Sequence, residues 1–186
     1  TDLGNLASGL TVTSTITVAD TNISGSSDLA NVDNFSLGNG IDATMTILQH
    51  NKISAADGSN TVTLSENGTI SGNANVEAYV LSTGNNTFTM ADGGQTVTGN
   101  NGIDEITGGN GGDIINGMGN NDILRGGDGT DTITGGEGSD AITGGAGADR
   151  FIFTTGHTST VVSEEVVNDF TTGSDTLDFG EAISNA

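Results

Sequence analysis

GNNGIDEIT, GGNGGDIIN, GMGNNDILR, GGDGTDTIT, GGEGSDAIT and GGAGADRFI follow one another without a gap from Gly99 to Ile152, as six units of nine residues. Each unit has an aspartate in sixth place and an apolar residue in eighth. So short and strict a period in a Gly/Asp sequence is neither an amphipathic helix nor an ordinary core strand, so the repeat itself must be the architecture.

Alternate side chains of a strand face opposite ways, so places seven to nine predict a short strand with the eighth residue inward and its neighbours outward. Places one to six make the turn, where glycine permits positive φ. The non-glycine in fourth place, Asn120, is of a type that tolerates the left-handed region. If two units complete one coil of a flattened helix, residues eighteen apart stack one strand spacing away, roughly 4.8 Å. Asp104, Asp122 and Asp140 then line one edge of the coil, and Asp113, Asp131 and Asp149 the other.

Outside the repeat the composition narrows the field. Of 186 residues only 32% are hydrophobic and 4% aromatic, so a conventional core would be thin. Against 24 acidic residues stand three basic ones, Lys52, Arg125 and Arg150, and the net charge of −21 excludes nucleic acid as a partner and disfavours anionic membrane surfaces. The absence of cysteine removes disulfides and thiolate sites, and two histidines are too few for a zinc cluster. No run approaches the roughly 20 apolar residues of a transmembrane helix. TDLGNLASGL lacks the basic start and apolar run of a signal peptide, as expected of an internal or C-terminal piece of a longer chain. Strong acidity and 31 glycines further predict that the repeat region is unfolded without a ligand.

Cations bound by oxygen remain. Two bare carboxylates about 5 Å apart repel by roughly 0.8 kcal/mol in water and by about 3 kcal/mol at an effective dielectric near 20. A hard divalent ion between them reverses the sign, and calcium accepts six to eight oxygens, so two carboxylates and turn carbonyls complete its shell. Magnesium demands tighter octahedral geometry, and softer metals want nitrogen or sulfur. The stacked pairs Asp104/Asp122, Asp122/Asp140, Asp113/Asp131 and Asp131/Asp149 predict about four calcium sites, with weaker ones where Asn86 or Gln95 faces the next rung.

Upstream the texture changes, yet the phase persists. Ile70, Tyr79, Phe88 and Val97 continue the nine-residue spacing of Ile106, Ile115, Leu124, Ile133, Ile142 and Phe151, while Glu77, Asn86 and Gln95 replace the aspartate. One uninterrupted stack is therefore expected, with calcium binding fading toward the N-terminus. Residues 15–40 and 61–84 also echo each other, sharing T-Φ-T-Φ, an acidic residue, ISG and then ANV. The expected divisions are a degenerate Thr/Asn-rich solenoid over 1–98, the calcium-binding array over 99–152 and a C-terminal capping segment over 153–186.

The six units resemble the RTX (repeats-in-toxin, haemolysin-type calcium-binding) nonapeptides, whose pattern is GGxGxDxUx. The resemblance covers Gly99 to Ile152, and departs from the pattern at Asn100 and Met118 in second place and Asn120 in fourth, which bears on the carbonyl geometry of the first and third units. It implies an all-β, right-handed parallel β-roll or β-solenoid. It also implies that the sixth-place aspartates and turn carbonyls ligate calcium, the carbonyls being those of Gly99, Gly108, Asn110, Gly117, Gly119, Gly126, Gly127, Asp128, Gly129, Gly135, Gly136, Glu137 and Gly144. Type I secretion as an unfolded chain, with folding outside the cell or at its surface, is implied too.

The segment after the repeats, FIFTTGHTST followed by VVSEEVVNDFTTGSDTLDFG, looks like the cap that follows such arrays. An open roll end exposes unpaired backbone, and Val166, Phe170, Leu177 and Phe179 are the candidates to cover it. Asp169, Asp175 and Asp178 are expected as a solvated acidic loop rather than a further calcium site. His50 and His157 are expected at the surface or in loops. Glu164 and Glu165, being adjacent, point to different faces and form no acid/base pair. HExxH, GxSxG and Walker motifs are absent, and no enzyme is predicted.

Three roles compete. The texture of residues 1–98 favours a structural module of a large secreted surface protein, of S-layer or adhesin type, with self-association or a cell-surface polysaccharide as partner. The alternative is a calcium-dependent folding and export module of an extracellular enzyme or toxin. Ice binding, suggested by Thr61/Thr63, Thr87/Thr89, Thr96/Thr98 and Thr132/Thr134, ranks last: the register replaces other such pairs by Glu105/Thr107, Ile123/Arg125, Ile114/Asn116 and Arg150/Ile152. The outward Ile114, Ile123 and Ile152 suggest instead a surface covered by the cap or by a neighbouring molecule.

Overall fold

A computed structural model describes residues 16–18, 35–37, 40, 42–51, 53–56, 58–153 and 165–180. Most of the first copy of the 15–40 duplication lies outside these residues, as do His157, Glu164 and the chain between Phe153 and Glu165.

The strands, numbered in chain order, are short and pair in parallel. Eight make one sheet: β3 (Asp42–Met45), β5 (Thr61–Leu64), β7 (Ala78–Val80), β9 (Thr96–Asn101), β11 (Ile114–Gly119), β13 (Thr132–Glu137), β15 (Arg150–Ile152) and β17 (Thr176–Asp178). Six make another: β6 (Thr69–Ser71), β8 (Thr87–Thr89), β10 (Glu105–Thr107), β12 (Ile123–Gly129), β14 (Ala141–Gly147) and β16 (Val166–Val167). A three-stranded sheet joins β1 (Ile16–Val18), β2 (Phe35–Leu37) and β4 (Ile53–Ala56) near the N-terminus. Consecutive strands alternate between the two larger sheets from β5 to β17, which makes the molecule a parallel β-solenoid.

The eighteen-residue register holds throughout the array: Ile106 pairs with Leu124, Leu124 with Ile142, Val97 with Ile115 and Ile115 with Ile133. Strand β9 itself crosses residue 98, so the Thr-rich rungs and the Gly/Asp units share their sheets. Every apolar residue of the nine-residue series from Ile70 to Phe151 is buried, and Val62, Leu64, Met45 and Leu37 carry the core further upstream. Burial alternates along each rung, as a two-residue side-chain period dictates.

Three details differ from the sequence reading. Strands β11 to β14 run on through the turn, pairing Met118 with Gly136 and Gly127 with Gly145, because stacked turns of equal length keep their amides in register. The inward residue of β16 is Val167, opposite Ile142, whereas Val166 points out and is half exposed. His50 is buried rather than superficial: it sits on α1 (Ile47–His50), whose N-terminus Thr46 and Gln49 close with a capping box. The His50 Nδ1 atom donates to Asn51 Oδ1 at 3.2 Å, so in the neutral ring Nε2 accepts from the Tyr79 hydroxyl 2.9 Å away, which in turn accepts the Asn73 amide at 2.7 Å. Burial pushes the imidazole pKa down.

The Thr pairs are interrupted as the spacing foretold, with Ile114 and Asn116 seated between Thr96/Thr98 and Thr132/Thr134. Ile114 and Ile123 are exposed. Among the described residues no helix is long and apolar enough to cross a membrane.

Candidate metal centre

Along each rung the sixth, eighth and first places face inward, so aspartate, apolar residue and glycine follow one another inside the coil. The six aspartates Asp104, Asp113, Asp122, Asp131, Asp140 and Asp149 are all buried, at 0–1% exposure. One oxygen of each is committed to the backbone. Asp122 Oδ1 accepts the Asp104 amide at 2.8 Å and Asp140 Oδ1 the Asp122 amide at 2.7 Å. On the other edge Asp131 Oδ1 accepts the Asp113 amide at 2.8 Å and Asp149 Oδ1 the Asp131 amide at 2.9 Å. The ladder is entered from upstream through the amides of Asn86 and Gln95.

The second oxygen turns back across its own turn toward the first-place glycine. A Cβ on Gly99 would meet Asp104 Oδ2 at 2.8 Å and the Gly117 carbonyl; one on Gly108 would meet Asp113 Oδ2 at 2.7 Å and the Gly126 carbonyl. Gly117 faces Asp122 Oδ2 and, at 2.6 Å, the Gly135 carbonyl, and Gly126 faces Asp131 Oδ2 and the Gly144 carbonyl. Glycine is required at these four places because the space a side chain would fill is lined by a carboxylate of one rung and a carbonyl of the next. They coincide with the four stacked pairs.

The turns are not equivalent. Met118, Gly127, Gly136 and Gly145, all in second place, have positive φ, whereas Asn100 and Gly109 do not. In the two turns without it, the second-place amide donates to the carboxylate: Asn100 to Asp104 Oδ2 at 3.2 Å and Gly109 to Asp113 Oδ2 at 3.1 Å. In the later turns the left-handed residue withholds that donor, and Oδ2 of Asp122, Asp131 and Asp149 is buried with no hydrogen-bond partner. A buried, unpaired carboxylate oxygen is costly, and a cation is what would offset it. Burial, then the neighbouring carboxylates, push the Asp122 pKa up to about 8 and that of Asp131 up to about 6, each in spite of one backbone hydrogen bond.

The donor set is all oxygen. Among the described residues no three acidic or imidazole side chains converge on one point, so carbonyls must complete any shell. The first-place carbonyls of Gly117, Gly126, Gly135 and Gly144 are placed for this. Of the third-place carbonyls, those of Asn110 and Asp128 already accept inter-rung amides from Gly93 and Gly111. The Gly127 and Gly129 carbonyls point at Gly145 and Gly147 of the rung above. A hard cation of flexible coordination fits this set, and Asp122 and Asp131 offer it the best donors.

The acidic residues after the array close its end through hydrogen bonds. Asp169 accepts the Gly144 and Gly145 amides at 2.9 and 2.8 Å; Asp175 accepts those of Asp149 and Thr171 at 3.1 and 2.8 Å; Asp178 pairs with Arg150. Phe170 packs on Phe151 and Phe179 stacks on Phe153. Glu165 was missed by the sequence reading: through β16 it continues the Asp104/Asp122/Asp140 edge. The signal was present, since E-V-V repeats the acid-x-apolar triplet of places six to eight, but the 25-residue step and the missing glycines hid it.

The RTX calcium-binding nonapeptide repeat family (4 copies) matches residues 91–124, 98–133 and 125–157. No curated protein and no solved structure matches the chain. Residues 91–157 are therefore an RTX array, and RTX nonapeptides bind calcium.

Proposed function

We propose, with an RTX array as the premise, that this chain is a calcium-locked structural module of a large secreted bacterial surface protein of S-layer or adhesin type. Calcium would be held in four places, by Asp104/Asp122, Asp122/Asp140, Asp113/Asp131 and Asp131/Asp149 with first-place carbonyls. The ions supply charge neutralisation where the folded chain otherwise buries unpaired carboxylate oxygens; the chain's own residues supply a preformed stack. At a dissociation constant of about 10⁻⁴ M, a few millimolar calcium stabilises the fold by about 2 kcal/mol per site. At sub-micromolar cytosolic calcium that contribution vanishes, which suits export of an unfolded chain and ordering outside the cell.

The observation that carries the structural role is β9, which belongs at once to the Thr-rich rungs and to the first Gly/Asp unit. A solenoid that continues upstream without a separate globular unit between residues 58 and 153 suits a scaffold better than a folding tag on an enzyme. Exposed Ile114 and Ile123 support self-association on its faces.

Circular dichroism and electron microscopy during a calcium titration test this reading. Gain of β-signal followed by ordered sheets or filaments is expected. A calcium-folded monomer at all concentrations would instead favour the export module of an extracellular enzyme or toxin, and a β-signal indifferent to chelation would remove the calcium lock.

A further inference from the structure

The two aspartate edges end differently. On the edge of Asp113, Asp131 and Asp149, the next register position is Asp175, and both its oxygens accept backbone amides, from Asp149 and Thr171. The space beside Gly144 there holds Asp149 Oδ2 and, at 2.8 Å from a hypothetical Cβ, the edge of the Phe151 ring. A ring carbon is no ligand, so this edge is closed.

On the other edge the next register position is Glu165. Neither of its carboxyl oxygens touches solvent, and the groups they face are the carboxylate and the backbone amide of Asp140. A Cβ on Gly135 would collide with the Asp140 carboxylate and would stand 2.8 Å from Glu165 Oε2. Two carboxylates of successive rungs thus line one glycine cradle, as a carboxylate and a carbonyl do in the array. The longer glutamate takes the place of the carbonyl that the chain no longer supplies after the last glycine turn.

We propose that Asp140 and Glu165 hold a further calcium ion, outside the nonapeptide units, which fastens the C-terminal segment to the roll. This rests on the calcium reading of the array. The fastening matters because β16 is two residues long and attached by few bonds, from the Val166 amide to the Asp140 carbonyl at 2.9 Å and from the Asn168 amide to the Ile142 carbonyl at 2.8 Å. Two buried carboxylates facing each other push that strand off; a divalent ion between them draws it in. The side of the C-terminal segment at β16 is then held most firmly when calcium is present, while the hydrogen bonds of Asp169 and Asp175 hold the rest.

The test uses the full chain and calcium alone as probe. Bound calcium is counted after dialysis, and amide exchange is followed at Val166 and Asn168, for the wild type, Glu165→Gln and Asp175→Asn. Glu165→Gln should lose roughly one calcium per chain, or bind it at least about tenfold more weakly. At saturating calcium, exchange at both amides should be faster in Glu165→Gln than in the wild type, while the Ile123 amide of the array stays equally protected in both. Asp175→Asn should keep the full calcium number. Wild-type stoichiometry and wild-type exchange in Glu165→Gln would overturn the proposal while leaving the array intact, and so would an equal loss of calcium in Asp175→Asn. A wild type that binds no calcium would overturn both readings together.

Discussion

The backbone amide of Asp104 donates to Oδ1 of Asp122, 2.8 Å away and eighteen residues on, while Oδ2 of the same Asp122 side chain is buried without a partner. One carboxylate therefore does two jobs, holding successive rungs together with one oxygen and facing a turn with the other. The two can be separated. In Asp122→Asn, Oδ1 still accepts the amide and an NH₂ group replaces the bare oxygen beside the Gly135 carbonyl. In chelator above about pH 8, where the wild-type carboxyl is ionised, the variant should be more stable than wild type by about 1–3 kcal/mol, the cost of the orphaned group. In saturating calcium it should be the less stable of the two. Urea midpoints in both media measure this; a variant weaker than wild type in both would refute the division of labour.

Position along the edge decides how many ions an aspartate serves. Asp122 belongs to two stacked pairs of the array and Asp149 to one, its far side being closed by Phe151. Asp122→Ala should lose about two calcium ions per chain and Asp149→Ala about one. Equal losses by atomic emission after dialysis would contradict the paired arrangement.

Met118 is in second place of the third unit with φ +81°, a conformation that suits glycine, and its side chain is 45% exposed. Met118→Gly removes the left-handed penalty and little burial, so it should stabilise the roll by about 1 kcal/mol in calcium. Gly109, in the equivalent place one unit earlier, lacks positive φ, so Gly109→Ala should cost less than Gly127→Ala, where φ is +114° and the Gly109 carbonyl blocks the Cβ. Thermal midpoints of the three variants check the order.

The acid groups also set a pH dependence. Burial raises the Asp122 pKa to about 8 and that of Asp131 to about 6 from an ordinary 3.8. Between the unfolded and folded values the folded state holds protons that the unfolded chain has released, so in chelator stability should fall as pH rises from about 4 to about 8. Calcium requires the ionised form, so its presence should flatten or invert the slope, and calcium affinity should rise over the same window. Denaturation midpoints against pH with and without calcium test this; a chelated roll that gains stability toward pH 8 would contradict it.

At the N-terminal end the sign is opposite. His50 is buried and its pKa lies below the ordinary 6.5, so the unfolded chain takes up the proton first and stability is lost as pH falls through about 6.5 and below. His50→Phe should remove that acid loss while leaving calcium binding unchanged. Ring resonances of His50 followed by NMR from about pH 7 to about pH 5 locate the transition.

The array, its inward apolar rungs and its two aspartate edges were legible in the chain because they follow from a strict period: nine residues per half coil put Asp104 beside Asp122 and Ile106 beside Leu124 whatever else the molecule does. The same arithmetic carried the rungs upstream to Ile70, where glutamate, asparagine and glutamine hold the sixth place. Only the tertiary structure decided what period does not encode. Whether Oδ2 is bare depends on the φ of a second-place residue, left-handed at Met118 and not at Gly109, although glycine is the residue better suited to it. The burial of His50 and the approach of Glu165 to Asp140 arise from segments of irregular length, which reach their places by packing against an already formed stack.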